Sequence, residues 1–136
     1  SSGMCGGPID PGTLTVGSAM ETTISRLPSS GQEEWYLVRF PMNPDYNQHG
    51  TGTERVSFSV NDGNIFRFDV RATCASNAPC GSGSASGITS YAFQDRACAS
   101  NDCVNRSTSW PTSLLIRVHR TTGGVSCGRY RLAVSR

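Results

Sequence analysis

Six cysteines are the residues with the most evident chemistry in this chain of 136 residues: Cys5, Cys74, Cys80, Cys98, Cys103 and Cys127. An even number of cysteines in a small chain in which Ser, Thr and Gly fill 46 positions is typical of disulfides in an oxidising compartment. A structural zinc site needs closely spaced Cys or His pairs, and neither histidine lies beside these cysteines. The cysteines therefore predict disulfides and no metal.

Many pairings of six cysteines are possible, and one is favoured. Cys74–Cys80 and Cys98–Cys103 would each close a short loop, and Cys5–Cys127 would tie the N-terminal segment to the last strand. In chain-entropy terms, the last bridge closes the longest loop and contributes about 4–5 kcal/mol. We expect disulfides to stabilise the domain, because its inward-facing apolar residues are few.

Histidines and carboxylates offer a weaker case for catalysis. A Ser–His–acid site needs a histidine, His49 or His119, near an acid, and the candidates are Asp45, Asp69, Asp95 and Asp102. No nucleophile-elbow motif is present, and His119 is expected to be exposed on a strand. Glu33 and Glu34 are adjacent on a strand and point to opposite faces, which argues against a glycosidase pair. The sequence predicts that the protein is not an enzyme.

Calcium is a second chemistry that oxygen-bearing side chains could provide. Asn61, Asp62 and Asn64 form one such cluster, and Asn101 and Asp102 form another. Both are also ordinary turn sequences, and the turn is the favoured interpretation. We expect no metal and no cofactor.

Three aromatic residues are candidates for binding. Trp35 alternates away from the predicted core face of its strand, Tyr46 lies in a polar loop, and Trp110 lies in a second loop. Flat aromatic rings stack on sugars or on side chains when they are exposed. The alternative is that Trp35 caps the edge of the core and that Trp110 covers one end of the domain.

Charge and hydropathy exclude two classes of partner. The positive charge consists of twelve scattered Arg and no Lys, with a net charge of +2, so we expect no nucleic-acid partner. No apolar run is long enough to span a membrane.

Short segments of alternating hydrophobicity must position these residues. The predicted strands are 13–16, 20–24, 34–40, 55–60, 65–71, 88–94, 114–120 and 129–135. The turn sequence 61–64 predicts a hairpin between the fourth and fifth of these. The loops 41–54 and 95–113 are the regions most free to carry function.

The fold predicted is an all-β, antiparallel, jelly-roll-like sandwich of about seven or eight strands. Residues 1–12 are an extended lead-in, and 13–136 are one domain. The residues predicted to face inward are Tyr36, Val38, Phe40, Val56, Phe58, Val60, Phe66, Phe68, Val70, Leu114, Ile116, Val118, Tyr130, Leu132 and Val134. In contrast, Asp69 and His119 are predicted to point outward.

Two stretches resemble the bacterial pre-peptidase C-terminal (PPC-like) domain family. Residues 31–40 (GQEEWYLVRF) resemble the family's acidic–aromatic strand, and 114–118 with 123–134 resemble its two closing strands and turn. The resemblance implies a small β-sandwich of secreted bacterial proteins with a non-catalytic binding or assembly role. Calcium binding, which some relatives show, is not carried over, because the matching acidic cluster is missing.

The expected function is a secreted, extracellular or cell-surface adhesion module that recognises a polysaccharide or a protein. The alternative is a structural subunit of an extracellular filament. In that case the lead-in would add as a strand to the sheet edge of a neighbour, because open edges accept an extra strand.

Overall fold

The computed structural model describes residues 4–14, 18–29, 31–39, 55–76, 86–92, 113–121, 123–124 and 126–135. Several predicted features lie outside these residues: the loop 41–54, most of the loop 95–113, Phe40, Tyr46, Trp110, Cys80, Cys98 and Cys103.

Eight strands are present in the described residues, and they form two antiparallel sheets. The strands are β1 (Ala19–Glu21), β2 (Ser25–Arg26), β3 (Glu34–Arg39), β4 (Arg55–Asn61), β5 (Phe66–Arg71), β6 (Ser90–Ala92), β7 (Ser113–Arg120) and β8 (Arg129–Ser135). One sheet has the order β3-β7-β5; in the other, β1 and β2 both pair with β8, followed by β4 and β6. The predicted all-β sandwich is confirmed.

From β3 onward, each strand lies in the opposite sheet to the strand before it. β4 and β5 therefore do not pair with each other, and the predicted hairpin between them is wrong. Their connection is an arch from one sheet to the other, so the inward faces of the two strands pack against each other. Phe58 and Phe68 meet across this interface with ring centroids 5.4 Å apart.

The side chain of Asn61 explains why the chain leaves the first sheet here. Its amide accepts a hydrogen bond from the Phe66 N–H at 3.0 Å and donates one to the Phe66 carbonyl at 3.1 Å. These two bonds satisfy backbone groups that a hairpin partner would otherwise satisfy. Gly63 and Asn64 have φ values of 66° and 54°, which allow the tight reversal.

The core lies between the sheets, as the alternation predicts. All of the predicted inward residues that the structure describes are buried except Phe58 and Val60, which are half-buried. Leu14 and Leu27 are also buried, although neither lies in a strand.

Tyr130 connects the two sheets at the centre of this core. Its ring lies within 5.0 Å of Phe66 and 6.4 Å of Tyr36, and its hydroxyl is 2.8 Å from the hydroxyl of Tyr36. Burial raises the pKa of Tyr36 to about 12, and burial also raises the pKa of Tyr130. Both phenols are therefore neutral at physiological pH and share one hydrogen bond across the sandwich.

The N-terminal lead-in is part of the fold. Ile9 and Thr13 form parallel bridges with Tyr36 and Arg39, so residues 9–14 run along the free edge of β3. At the opposite edge of the same sheet, Ile88 forms an antiparallel bridge with Phe68 of β5. Both edges of the three-stranded sheet are thus covered by the chain itself.

The disulfide pairing differs from the favoured one. Cys5 is bonded to Cys74, and Cys127 is free and exposed, so the expected Cys5–Cys127 and Cys74–Cys80 bridges are wrong. The physical reason is sheet membership: Cys5 precedes the segment beside β3 and Cys74 follows β5, and both strands belong to the three-stranded sheet, whereas Cys127 precedes β8 in the other sheet.

We predict that Asn61→Ala lowers the free energy of unfolding by about 1–3 kcal/mol, since it removes the hydrogen bond that the Phe66 N–H donates to Asn61 and one of the two that the Phe66 carbonyl accepts, the other coming from Arg67. Urea unfolding of the oxidised protein measures this loss. Asn64→Gly in the same turn is the control; it keeps the positive φ and should change stability by less than about 0.5 kcal/mol. Equal losses in the two variants would contradict the role given to Asn61.

Candidate functional site

The outer face of the three-stranded sheet holds a buried carboxylate. Asp69 points away from the core, as predicted, yet it is only 2% exposed. Its Oδ1 accepts a hydrogen bond from the Gly87 N–H at 2.7 Å and lies 3.1 Å from His119 Nε2. Its Oδ2 lies 2.9 Å from Arg117 Nη2 and 3.9 Å from Arg71 Nη2.

Asp69 stays ionised in this setting. Burial alone would raise its pKa, but the hydrogen bonds from Gly87 and His119 and the charge of Arg117 outweigh burial and hold the pKa below its usual value. Gly87 contributes through its backbone: its φ of 62° is one that few other residues adopt readily.

The network continues across the sheet to Trp35. Arg117 Nη1 lies 3.6 Å from Glu33 Oε2, and Trp35 Nε1 donates a hydrogen bond to Glu33 Oε1 at 2.9 Å. Trp35 is only 4% exposed, so its ring is not free to stack on a ligand as a binding residue would. We call the set Glu33, Trp35, Asp69, Arg117 and His119 the covered face.

On the covered face, Trp35 and Asp69 are buried, whereas Glu33, Arg117 and His119 are half-buried. Residues that alternate outward are normally exposed, and here Trp35 and Asp69 are not. One covering contact is the Gly87 amide on Asp69. The Cys5–Cys74 bridge joins the segment that precedes Ile9 to the segment that follows β5, and it thereby links the two edges.

The His119–Asp69 pair has the geometry that orients a catalytic histidine. Asp69 accepts the proton on Nε2, which leaves Nδ1 of a neutral ring as the acceptor. Within the described residues, however, His119 makes no hydrogen bond to a serine, threonine or cysteine. The histidine is half-buried, and its predicted full exposure is wrong.

The outer face of the five-stranded sheet differs from the covered face. A groove of about 370 Å³ runs over β1, β8 and β4. We call it the open groove; it is lined by Ala19, Met20, Glu21, Arg55, Ser57, Ala133, Val134 and Ser135. The strand register aligns Ala19, Ser135 and Arg55 in one row and Glu21, Ala133 and Ser57 in the next.

Two charged residues line the open groove, and only Glu21 has a charged partner among the described residues. Glu21 accepts a hydrogen bond from Ser59 at 2.8 Å and lies 3.5 Å from Arg131. Arg55 is exposed and forms no ion pair with any residue that the structure describes. The small side chains form a flat floor that leaves this guanidinium available to a ligand.

A second cavity, of about 560 Å³, lies where β3 begins. Glu33 and Glu34 both line it, together with Met4, Arg26, Leu27, Gly31 and Gln32. Glu33 bonds to Trp35 on the outer side of the sheet, whereas Glu34 accepts a hydrogen bond from Ser25. Each carboxylate is already engaged, so the pair is not poised for glycoside hydrolysis.

Residues considered for calcium form structural contacts. Asp62 Oδ2 accepts hydrogen bonds from the backbone and side chain of Arg129, both at 2.9 Å, and Asn61 holds Phe66. In the part of the chain that the structure describes, no three His, Cys, Asp or Glu residues are placed to hold a metal. The same residues contain no helix with the length and apolar character that a membrane span requires.

We predict that Asp69→Asn lowers the free energy of unfolding by about 3 kcal/mol at pH 7, since it removes the charge that Arg117 and His119 contact. Because the folded pKa of Asp69 is lowered, its contribution is complete above the ordinary carboxyl pKa of about 4 and is lost as the pH falls through the folded value. Urea unfolding at pH 7 and pH 3 measures both effects.

Asp62→Asn is the control for Asp69→Asn, because the ion pair of Asp62 with Arg129 is exposed and should contribute far less. A stability difference between wild type and Asp69→Asn that does not shrink at low pH would contradict this assignment.

No family model, curated protein or solved structure matches this chain. The resemblance to the pre-peptidase C-terminal family therefore stays a prediction that rests on the quoted residues alone.

Proposed function

We propose that this protein is a secreted, non-catalytic binding module that attaches to a polysaccharide or protein surface outside the cell. The observation that carries the proposal is the contrast between the two outer faces of the sandwich. One face is covered and internally bonded, whereas the other presents the open groove, whose Arg55 forms no ion pair with any residue that the structure describes.

The dimensions and chemistry of the open groove suit an extended ligand. Small side chains at Ala19, Ala133, Ser57 and Ser135 allow a flat polymer to approach the sheet closely. Hydroxyl groups and a guanidinium supply the few directed polar contacts that fix a ligand's orientation. A guanidinium also forms strong bidentate contacts with carboxylates.

The disulfide supports the extracellular part of the proposal. Cys5 and Cys74 are joined, and such bonds persist mainly in oxidising compartments. The absence of catalysis is supported by the use of the acidic groups: Asp69, Glu33 and Asp62 are all engaged in contacts that hold the fold.

We predict that Ala133→Trp abolishes retention on the ligand, because an indole on the groove floor blocks access while the core stays intact. Binding to a glycan and matrix-protein array measures retention, and we expect at least a tenfold loss for any wild-type ligand. Ala75→Trp is the matched control, since Ala75 is exposed in the segment after β5. Equal retention by both variants would contradict the assignment to the groove.

Tyr46 and Trp110 provide the discriminating comparison. If Tyr46→Ala or Trp110→Ala weakens retention and Ala133→Trp does not, the binding site lies in the loops that contain these aromatic residues rather than in the groove.

A structural subunit of an extracellular filament is the second candidate function. The specific observation in its favour is that residues 9–14 already behave as an added edge strand on β3. We expect light scattering of the oxidised, concentrated protein to show large ordered assemblies if this function is correct, and a monodisperse monomer would contradict it.

A further inference from the structure

We propose that the edge of β3 is an assembly surface whose occupant is the segment 9–14 of a second copy of this chain. The inference rests on the second candidate function and names the surface and the partner that it needs. In the monomer, the chain's own segment 9–14 fills the same place.

The edge of β3 pairs with this segment through backbone hydrogen bonds. Ile9 N–H donates to the Trp35 carbonyl, Leu37 N–H donates to the Ile9 carbonyl, and Leu14 N–H donates to the Arg39 carbonyl, each at 2.8 Å. The pairing is parallel, so a segment from any copy can run along the edge in the same direction.

Side chains make the edge selective for residues 9–14. Leu14 is 1% exposed and belongs to the core, and Ile9 packs against the core. Asp10 adds an ion pair with Arg39 at 3.0 Å. A strand without an apolar residue at the position of Leu14 would leave a cavity in the core.

The edge of β5 and the edge formed by β1 and β2 are less suited to such an exchange. The edge of β5 is occupied by Ile88, which also continues into β6. On the five-stranded sheet, the edge strands β1 and β2 are interrupted at Thr22, whose hydroxyl takes the Leu132 N–H that a backbone carbonyl would take in a regular ladder. The edge of β3 combines two parallel backbone bridges with a core-filling side chain.

Exchange between copies costs little, since the contacts are the same in either case. The intramolecular arrangement is favoured because residues 9–14 are joined covalently to the rest of their own chain. For short flexible connections, such a link corresponds to an effective concentration on the order of millimolar. Exchange should therefore become populated at protein concentrations near this value. Head-to-tail exchange produces an open filament where the rotation between successive copies does not close into a ring.

The Cys5–Cys74 bridge shows which copy supplied residues 9–14, because Cys5 lies on the same segment of the chain as these residues. Two thiols join as one disulfide, and the two electrons and two protons pass to oxidised glutathione, which becomes two molecules of glutathione. If the segment has been exchanged before oxidation, Cys5 of one copy bonds to Cys74 of the next.

The test mixes equal amounts of reduced ¹⁵N-labelled and unlabelled protein and oxidises them with oxidised glutathione at about 10 μM and at about 1 mM. Digestion and mass spectrometry then measure the Cys5–Cys74 peptide pair. We expect unmixed pairs at the low concentration and mixed pairs, up to half of the total, at the high concentration. No mixed Cys5–Cys74 pairs at about 1 mM would overturn the inference.

Cys127, which is exposed and free, is the internal control for random pairing. Mixed Cys5–Cys127 pairs as abundant as mixed Cys5–Cys74 pairs would indicate scrambling and would also overturn the inference. Leu14→Met should preserve the mixed pairs and Leu14→Asp should remove them. Protection of the Leu132 amide from hydrogen exchange reports that the sandwich is still folded in each variant.

Light scattering on the same samples separates the inference from the function on which it rests. Large assemblies without mixed Cys5–Cys74 pairs would refute the β3 edge as the assembly surface and leave the filament function in place. The absence of both would refute both.

Discussion

The covalent tie between Cys5 and Cys74 is the constraint on which the rest of this structure depends. It joins residues 69 positions apart and connects segments from the two edges of the three-stranded sheet. Closing a loop of that length removes entropy from the unfolded chain that corresponds to about 4 kcal/mol. It also keeps the lead-in docked, so that Leu14 fills the core and the edge of β3 is covered.

Covering one face has an electrostatic consequence. Asp69 and Trp35 alternate outward but are buried, and a buried carboxylate is tolerated only with charged and hydrogen-bonding partners. The Gly87 amide, Arg117 and His119 provide them. The carboxylates of this face are therefore bonded to its other residues, whereas Arg55 on the opposite face forms no ion pair with the part of the chain that the structure describes. This asymmetry makes the five-stranded sheet the better candidate for recognition.

The strands and their inward faces could be predicted because alternation is a local property of the sequence. Strand pairing could not. The turn sequence 61–64 predicts a hairpin. In the structure, the side-chain amide of Asn61 instead hydrogen-bonds to the backbone N–H and carbonyl of Phe66, and the chain passes to the other sheet. Cysteine pairing failed for a related reason: it depends on which strand lies beside the lead-in, and no local pattern encodes that neighbour.

Local sequence patterns predict only part of the candidate binding site. The outward positions of Arg55 and Ser57 follow from the alternation of β4 alone. The groove, however, exists only because Ala19 and Ser135 align beside Arg55, and this register joins strands from both ends of the chain. Substituting any one of the small residues with a large one would close the floor without disturbing a strand's core face. Recognition in such a sandwich thus depends on long-range register, while the identity of each outward residue is fixed locally.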